Sequence, residues 1–339
     1  MDQMSDNNST VTTIFDNEDT DDRVGIKPVV NKDIWHMYKN VGLPSMWFVE
    51  DVSLAEDVNQ WNDEGKINDK IKHFVKYILA FFHGADKLVA ENLVDNFAQE
   101  VDVLEAQVYY RFQAMVEDIH SDMYSTLVET LIQDVDERDR IFNAISEMPV
   151  IKAKADWAVK FSNPINASLV ERLVAFAVVE GVFFSGSFCA IYYLREQSIL
   201  PGVCFSNDYI AKDEGQHCDF ACLMYSHVRE EQRLTTEKIH EIFKEAVEIE
   251  TAFVTEAIPV AMIGMNSNLM TQYIQFVADY WVTKLGYPKL YNVSQPFKFM
   301  ANISIQQRTN FFEKRVGEYK RANVGTSEED REFAIDDDF

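Results

Sequence analysis

The sequence predicts an all-α protein, a large helical bundle, and three observations carry that prediction. Gly and Pro are sparse, 12 and 8 among 339 residues, whereas a strand-rich chain needs a turn every few residues. Apolar residues recur at helical spacing over long runs, one from about Asn68 to Glu100 and one from about Val101 to Ile132. Hydrophobic residues make up 47%, with 24 Phe and 14 Tyr, which is ample apolar area for a core and excludes wholesale disorder.

Taken in order, the chain opens with a polar stretch. Seven acidic residues and no basic one precede Arg23, so residues 1–30 are expected to be a disordered acidic tail. Asp51 and Ser53 are placed to open a helix near Leu54. The two long runs follow, and Asp134 to Arg140 starts another helix. Asn163-Pro164 marks a loop before an apolar helix around Glu180. Pro201-Gly202 is a break, after which Ser206-Asn207-Asp208 reads as the cap of a helix through His227. Further helices cover Glu237 to Ile263 and Asn268 to Leu285, the last ended by Gly286-Tyr-Pro288. From Glu328 onward there are seven acidic residues and one Arg, so the chain is expected to close on a flexible tail, 309–339, after a helical body over 31–308.

Charge and cysteine usage narrow the function. With 31 basic and 56 acidic residues the net charge is 31 − 56 = −25, which argues against a nucleic-acid backbone or an anionic membrane as partner. Four cysteines without a CxxC pair signal neither a disulfide framework nor a zinc ribbon, and the N-terminus lacks a secretion signal. A reducing, cytoplasmic compartment is expected, and the five Asn-x-Ser/Thr matches are then coincidental. From Leu173 to Leu194 the only charge is Glu180, in a run long enough to cross a bilayer. Its flanks, Glu171-Arg172 and Arg195-Glu196, show no charge bias, so it reads as a helix buried inside the bundle with Glu180 facing something that offsets its charge.

The chemistry lies in a carboxylate–histidine pattern. Glu117-Asp-Ile-His120 and Glu214-Gly-Gln-His217 each place two ligand types at i, i+3, on one face of a helix. Chance supplies roughly half such a match in a chain with seven His, and a third, Glu237-Lys-Ile-His240, lies among charged neighbours and reads as a solvated face. The first two differ because each follows a lone carboxylate in an apolar helix. Asp86 comes after Tyr77-Ile-Leu-Ala-Phe-Phe82, and Glu180 lies in the apolar run. The spacings, 117 − 86 = 31 and 214 − 180 = 34, are one helix out and one back. Ferritin-like bundles hold two metals with nearly this set, a Glu from each of two helices and a Glu-x-x-His from each of two others, so the expected architecture is a ferritin-like bundle with additional helices. Four carboxylates and two imidazoles suit iron or manganese better than zinc. Tyr124, seven residues after Glu117, projects on the same side one turn on. Phe184, Phe188 and Ile210 should face the same interior, giving a dry pocket able to protect a phenoxyl radical.

At this point the sequence resembles the small, radical-generating (R2-type) subunit of class I ribonucleotide reductase in its eukaryotic and viral form. The likeness is carried by Asp33-Ile-Trp-His-Met-Tyr38, Asp86-Lys-Leu-Val-Ala-Glu-Asn-Leu93, Glu117-Asp-Ile-His-Ser-Asp-Met-Tyr124 and Val179-Glu-Gly-Val-Phe-Phe-Ser-Gly-Ser-Phe188. It continues through Phe205-Ser-Asn207, Asp213-Glu-Gly-Gln-His-Cys-Asp-Phe220, Asn310-Phe-Phe-Glu-Lys-Arg-Val-Gly-Glu-Tyr319 and the terminal Asp336-Asp-Asp-Phe339. The resemblance implies that Asp86, Glu117 and His120 hold one iron and Glu180, Glu214 and His217 the other, with some carboxylates bridging and manganese as the alternative metal. It implies that oxygen converts Tyr124 into the stored radical, and that Trp47, Asp213 and His120 form a relay to the surface. Tyr319 would hand the radical to a large subunit, gripped by residues 333–339, and the chain would be a homodimer. Lys212 stands where the mammalian pattern has Arg, and Phe333-Ala-Ile-Asp-Asp-Asp-Phe339 differs from the mammalian tail in its middle residues. An iron store and a diiron oxygenase acting on a small molecule are the competing functions. A store needs no radical pocket, and an oxygenase needs a substrate cavity.

Overall fold

Asn68 starts the first of four helices that matter most. Its side-chain oxygen accepts hydrogen bonds from the backbone N–H groups of Lys70 and Ile71, both at 3.1 Å, and so satisfies two of the donors a helix start leaves free. In this computed structural model, which describes residues 14, 15, 23, 25–257 and 266–300, the helix runs Asp69–Asn92, passes through a π turn at Leu93–Phe97 and ends at Glu100. It buries Phe74, Ile78, Phe81, Phe82, Ala85, Asp86 and Val89 along one face. The Glu117 helix, Leu104–Leu131, returns against it, and this is the most extensive helix pair among the described residues.

The second pair holds the other half of the pattern. Ser168 and Glu171 form a reciprocal capping box, with Glu171 N–H donating to Ser168 Oγ at 3.2 Å and Ser168 N–H to Glu171 Oε2 at 2.9 Å. The helix that follows, Leu169–Val178, is nearly all buried. The sequence reads as one continuous helix here, but the structure interrupts it with a π turn, Val179–Phe183, and a turn at Phe184 before it resumes over Ser185–Glu196. The approach of Trp281 explains the glycine inside this turn, since a Cβ on Gly181 would lie 2.5 Å from the indole Nε1. The length and hydropathy of Leu169–Glu196 would suffice to cross a membrane, but 89% of its most apolar window is buried inside the protein. It is an interior helix and packs on the Glu214 helix, Pro201–Ser226.

That last helix begins five residues earlier than the sequence suggests. Pro201 occupies its first turn, and Ser206 and Asn207, read as a cap, are buried inside it. Its cap comes from elsewhere in the chain. Asp57, buried on the short helix Ala55–Trp61, accepts from Gly202 N and Val203 N at 2.8 Å each, and Gln60 Oε1 accepts from Leu200 N at 2.8 Å. Nor do Asp51 and Ser53 cap Ala55–Trp61: Leu54 precedes it without a side-chain bond, and Asp51 instead accepts from Phe48 N at 3.0 Å. Asp134 does open a helix, Val135–Phe142. The short helix Ala144–Glu147 and the longer Pro149–Ser162 had no counterpart in the sequence reading.

Thr236–Ala257 and Ser267–Lys284 pack together and close around the π turn. Among the described residues there is no strand, only an isolated bridge between Phe15 and Val228. That bridge lies in the segment expected to be disordered. Phe15 is buried, Arg229 N donates to Ile14 O at 3.0 Å, and the Arg23 guanidinium pairs with buried Glu105 at 2.9 Å. Phe15 and Arg23 are apolar and basic residues in a largely polar, acidic stretch, and both dock on the body. The chain divides after Phe297, and of the second unit only Lys298–Met300 is described. Tyr319, the expected tail 309–339 and residues 258–263 lie outside the described residues.

Candidate metal centre

The four helices bring the six predicted ligands together. Asp86, Glu117, His120, Glu180, Glu214 and His217 are all at most 2% exposed. Their donor atoms form two groups, one of Asp86, Glu117 and His120, the other of Glu117, Glu180, Glu214 and His217, with the atoms of each group within 4.8 Å of one another. Glu117 belongs to both groups, so it is the carboxylate that two ions would share. The histidines interlock the two Glu-x-x-His segments. His120 Nδ1 is 3.2 Å from Glu117 Oε2 and 3.1 Å from Glu214 Oε1, while His217 Nδ1 is 3.0 Å from Glu214 Oε2 and 2.9 Å from Glu117 Oε1.

So many buried carboxylates need positive charge. Burial, then repulsion from Glu117, holds the Asp86 carboxyl well above the usual range, and burial with repulsion from Glu214 does the same to Glu180. Burial opposes a charged imidazole at His217, yet Glu117 and Glu214 push it up to about 10. Both oxygens of Asp86 and Oε2 of Glu180 are buried without a hydrogen-bond partner. Among the described residues, the ion-pair partners of this cluster are the two imidazoles. Two divalent cations would balance four carboxylates and coordinate the orphaned oxygens, so the residues fit a dinuclear site. The imidazoles would then be neutral, with Nδ1 facing the metals.

That tautomer puts a hydrogen on His120 Nε2, and an acceptor stands there. Asp213 Oδ2 is 3.3 Å from it and also receives the Trp47 indole N–H at 2.8 Å. Trp47 lies near-parallel to the His120 ring at 6.1 Å and stacks on Tyr209 at 5.2 Å. Trp47 and Asp213 are thus brought to the site. Tyr124 is buried, with its ring stacked on Phe82 at 4.5 Å and its hydroxyl without a hydrogen-bond partner. Burial, then the Asp86 charge, holds this phenol well above its ordinary pKa, so it stays protonated. Phe184 and Phe188 surround Phe82 at 5.6 and 5.4 Å, and Ile210 is fully buried.

Two neighbours were missed in the sequence. Gln113 donates from Nε2 to Glu180 Oε1 at 3.2 Å, and Phe82 forms the floor under Tyr124. Each lies four residues before a ligand, Gln113 before Glu117 and Phe82 before Asp86, so helical spacing held the signal. The discarded Glu237–His240 pair stays apart from the centre: Glu237 is exposed, and His240 Nε2 bonds the Pro288 carbonyl at 2.8 Å.

Residues 23–296 match the profile of the family described as "Ribonucleotide reductase, small chain". The chain belongs to this family. Its similarity to curated members is high. It is 48% identical over 317 residues to the ribonucleoside-diphosphate reductase small chain of Vaccinia virus (strain Ankara), covering 94% of this chain and 97% of that one. It is also 48% identical to the subunit M2 of Homo sapiens, over 94% of this chain and 80% of that one. Among solved structures, the Rnr4 homodimer of Saccharomyces cerevisiae superposes with a TM-score of 0.72 at 32% identity, covering 87% of this chain and 88% of that one. The small subunit of Clostridium botulinum gives a TM-score of 0.76 at 20% identity, over 86% and 94%, a likeness of fold alone. The architecture is therefore the ferritin-like helical fold, and the chain is a small-subunit member, of eukaryotic and viral type, of an oxidoreductase family.

Proposed function

We propose that this chain stores an oxidising equivalent on Tyr124 beside a dinuclear iron centre and delivers it to a large subunit that reduces ribonucleoside diphosphates. The observation that carries the reading is the pair of buried donor groups sharing Glu117, with a dry, unpartnered phenol one turn further along the same helix. Bound iron with molecular oxygen supplies the one-electron oxidation of the phenol. Everything else falls to the protein's own side chains.

Asp86, Glu117, Glu180 and Glu214 supply negative charge that matches two divalent ions, and His120 and His217 add neutral nitrogen donors. Phe82, stacked on the Tyr124 ring, and Phe184 and Phe188 packed on Phe82 keep water and reductants from it. Asp213 accepts from Trp47 and from His120, forming an unbroken line from the metal ligands toward the surface along which an electron and a proton can move together. Phe48, next to Trp47, is exposed at that end. Tyr319 would extend the path in the partner complex, and residues 333–339, with Phe333, Ile335 and Phe339 spaced among aspartates, would dock in a groove of the large subunit. The yeast relative described as a homodimer supports a dimeric assembly here as well. The four cysteines are buried and unpaired, consistent with a reducing cytoplasm and with the thiol chemistry residing on the partner.

The test is reconstitution. The chain loaded with iron and oxygen should support ribonucleoside diphosphate reduction only when mixed with a large subunit. Activity in the chain alone, or none in the mixture although the metal is bound, would contradict the reading.

A further inference from the structure

A buried ion pair joins two helices that carry none of the six candidate ligands. Lys154, on Pro149–Ser162, and Glu250, on Thr236–Ala257, are 1% and 0% exposed, with Nζ 2.7 Å from Oε2. The ammonium sits against the Phe81 and Phe253 rings, 3.3 and 3.9 Å from their centroids. Replacing such a pair by apolar residues is often neutral or stabilising, so stability alone is a weak reason for its presence. What the pair touches offers a better one.

The Glu180 helix breaks where its π turn, Val179–Phe183, gives way to Ser185–Glu196. Backbone groups at such a break fall outside both ladders, and burial makes leaving them unpaired costly. The Val182 carbonyl accepts from Ser185 Oγ at 2.7 Å, and Phe184 O accepts from Phe188 N to open the next ladder. The Phe183 carbonyl lies between them, and Lys154 Nζ donates to it at 2.6 Å. On the other side of the break, Gly186 N–H is one of the free donors at the new helix start, and Glu250 Oε1 accepts it at 3.2 Å. The side chain absent at Gly186 permits this contact: a Cβ there would come 2.5 Å from Glu250 Oε1. One ion pair, held by two other helices, thus grips both ends of the discontinuity that carries Glu180.

We propose that Lys154 and Glu250 are positioning residues for Glu180: they clamp the junction Phe183–Gly186, fix the π turn and thereby aim the Glu180 carboxylate at the shared cluster. Without the clamp the π turn can relax toward a regular helix, which rotates Glu180 away from Glu214 and His217. The clamp also orders Phe184, which packs on Phe81 at 5.3 Å and on Phe82 at 5.6 Å, so the radical pocket and the ligand are set by the same contact. This rests on the dinuclear reading of the cluster.

The experiment measures Mn(II) binding to the metal-free, full-length protein, by equilibrium dialysis and by the paramagnetic resonance spectrum of the bound ions. The wild type is the control for the dinuclear reading: if it binds no coupled Mn(II) pair, that reading fails, independently of the clamp. In Lys154→Met/Glu250→Met the apolar replacements should keep the helical content and thermal midpoint of the metal-free protein. Affinity at one of the two sites should fall by about tenfold to hundredfold, the range for losing support behind a ligand, and the coupled-pair spectrum should give way to that of isolated ions. A folded double variant that binds both ions with wild-type affinity and spectrum overturns the proposal. Should it not fold, Glu250→Gln and Glu250→Met decide instead. The amide still accepts from Gly186 N–H and should bind Mn(II) nearly as the wild type does, whereas Glu250→Met should bind it about tenfold more weakly or worse. Equal binding by the two overturns the proposal.

Discussion

At the scale of single residues, the centre depends on charge as much as on geometry. Glu180 brings one carboxylate to the group it shares with Glu117, Glu214 and His217, and its Oε2 has no protein partner. Glu180→Ala should therefore leave the fold intact and remove one strongly held ion, which metal analysis after dialysis will show as fewer than two per chain. Two tightly bound ions in that variant would contradict the ligand set. The six candidate ligands, which the fold gathers in one buried cluster, were legible in the sequence because Glu-x-x-His is a local pattern and each lone carboxylate stands out in an apolar helix. Gln113 and Phe82 were not read, for different reasons. Glutamine is not a ligand type that draws attention, and Phe82, although helical spacing puts it on the Asp86 face, stands in an apolar run where an aromatic ring reads as ordinary core.

At the scale of elements, the helix carrying Asp213, Glu214 and His217 starts under a cap supplied from far away in the chain. Asp57 accepts from Gly202 N and Val203 N, so Asp57→Ala should strip both bonds and destabilise the protein by about 1–2 kcal/mol, the range for a lost cap. Thermal unfolding of the metal-free protein will show this as a midpoint lower by a few degrees, and an unchanged midpoint would mean that the cap is idle. No local pattern could have revealed it: Ser206-Asn207-Asp208 looks like a cap, yet partners far apart in sequence start the helix at Pro201. The π turn at Glu180 was equally invisible, because the groups packed against it, Trp281 at Gly181 and Lys154 and Glu250 at its end, come from other helices.

The N-terminal segment offers a pH test at this same scale. Burial alone would raise the Glu105 carboxyl, but hydrogen bonds from Arg23, Asn31 and the Val30 N–H bring it down from 4.5 to about 2. A carboxyl lowered on folding stabilises the protein above its unfolded value and loses that contribution as the pH falls toward the folded one. Arg23→Ala should therefore cost its full stability difference at pH 7. The difference should narrow as the pH falls from about 4.5 toward 2. Urea unfolding of both proteins across that range checks it, and a difference independent of pH would remove Glu105 from the explanation. Composition pointed to a disordered tail here, because acidic residues outnumber the few that dock, Phe15 and Arg23.

At the scale of the whole molecule, a net charge of −25 disfavours packing another acidic segment on the body, yet the last seven residues carry two phenylalanines and an isoleucine. Deleting 333–339 should leave metal binding and the Tyr124 radical unchanged and abolish nucleotide reduction with the large subunit. A peptide of those residues should inhibit the intact pair by competition. Full activity of the truncated chain at ordinary partner concentrations would remove the tail from the mechanism. The helical bundle was legible at this scale because sparse glycine and proline with long apolar runs leave few other architectures.

The most direct measurement of the central claim is an electron paramagnetic resonance spectrum of the full-length protein, loaded with Fe(II) without oxygen and then exposed to it. The wild type should develop a persistent tyrosyl radical signal, and Tyr124→Phe, which loses only a hydroxyl with no hydrogen-bond partner among the described residues, should bind the same amount of iron and show no such signal. A signal that survives unchanged in Tyr124→Phe, or its absence from fully loaded wild type, would contradict the assignment of Tyr124 as the stored oxidant.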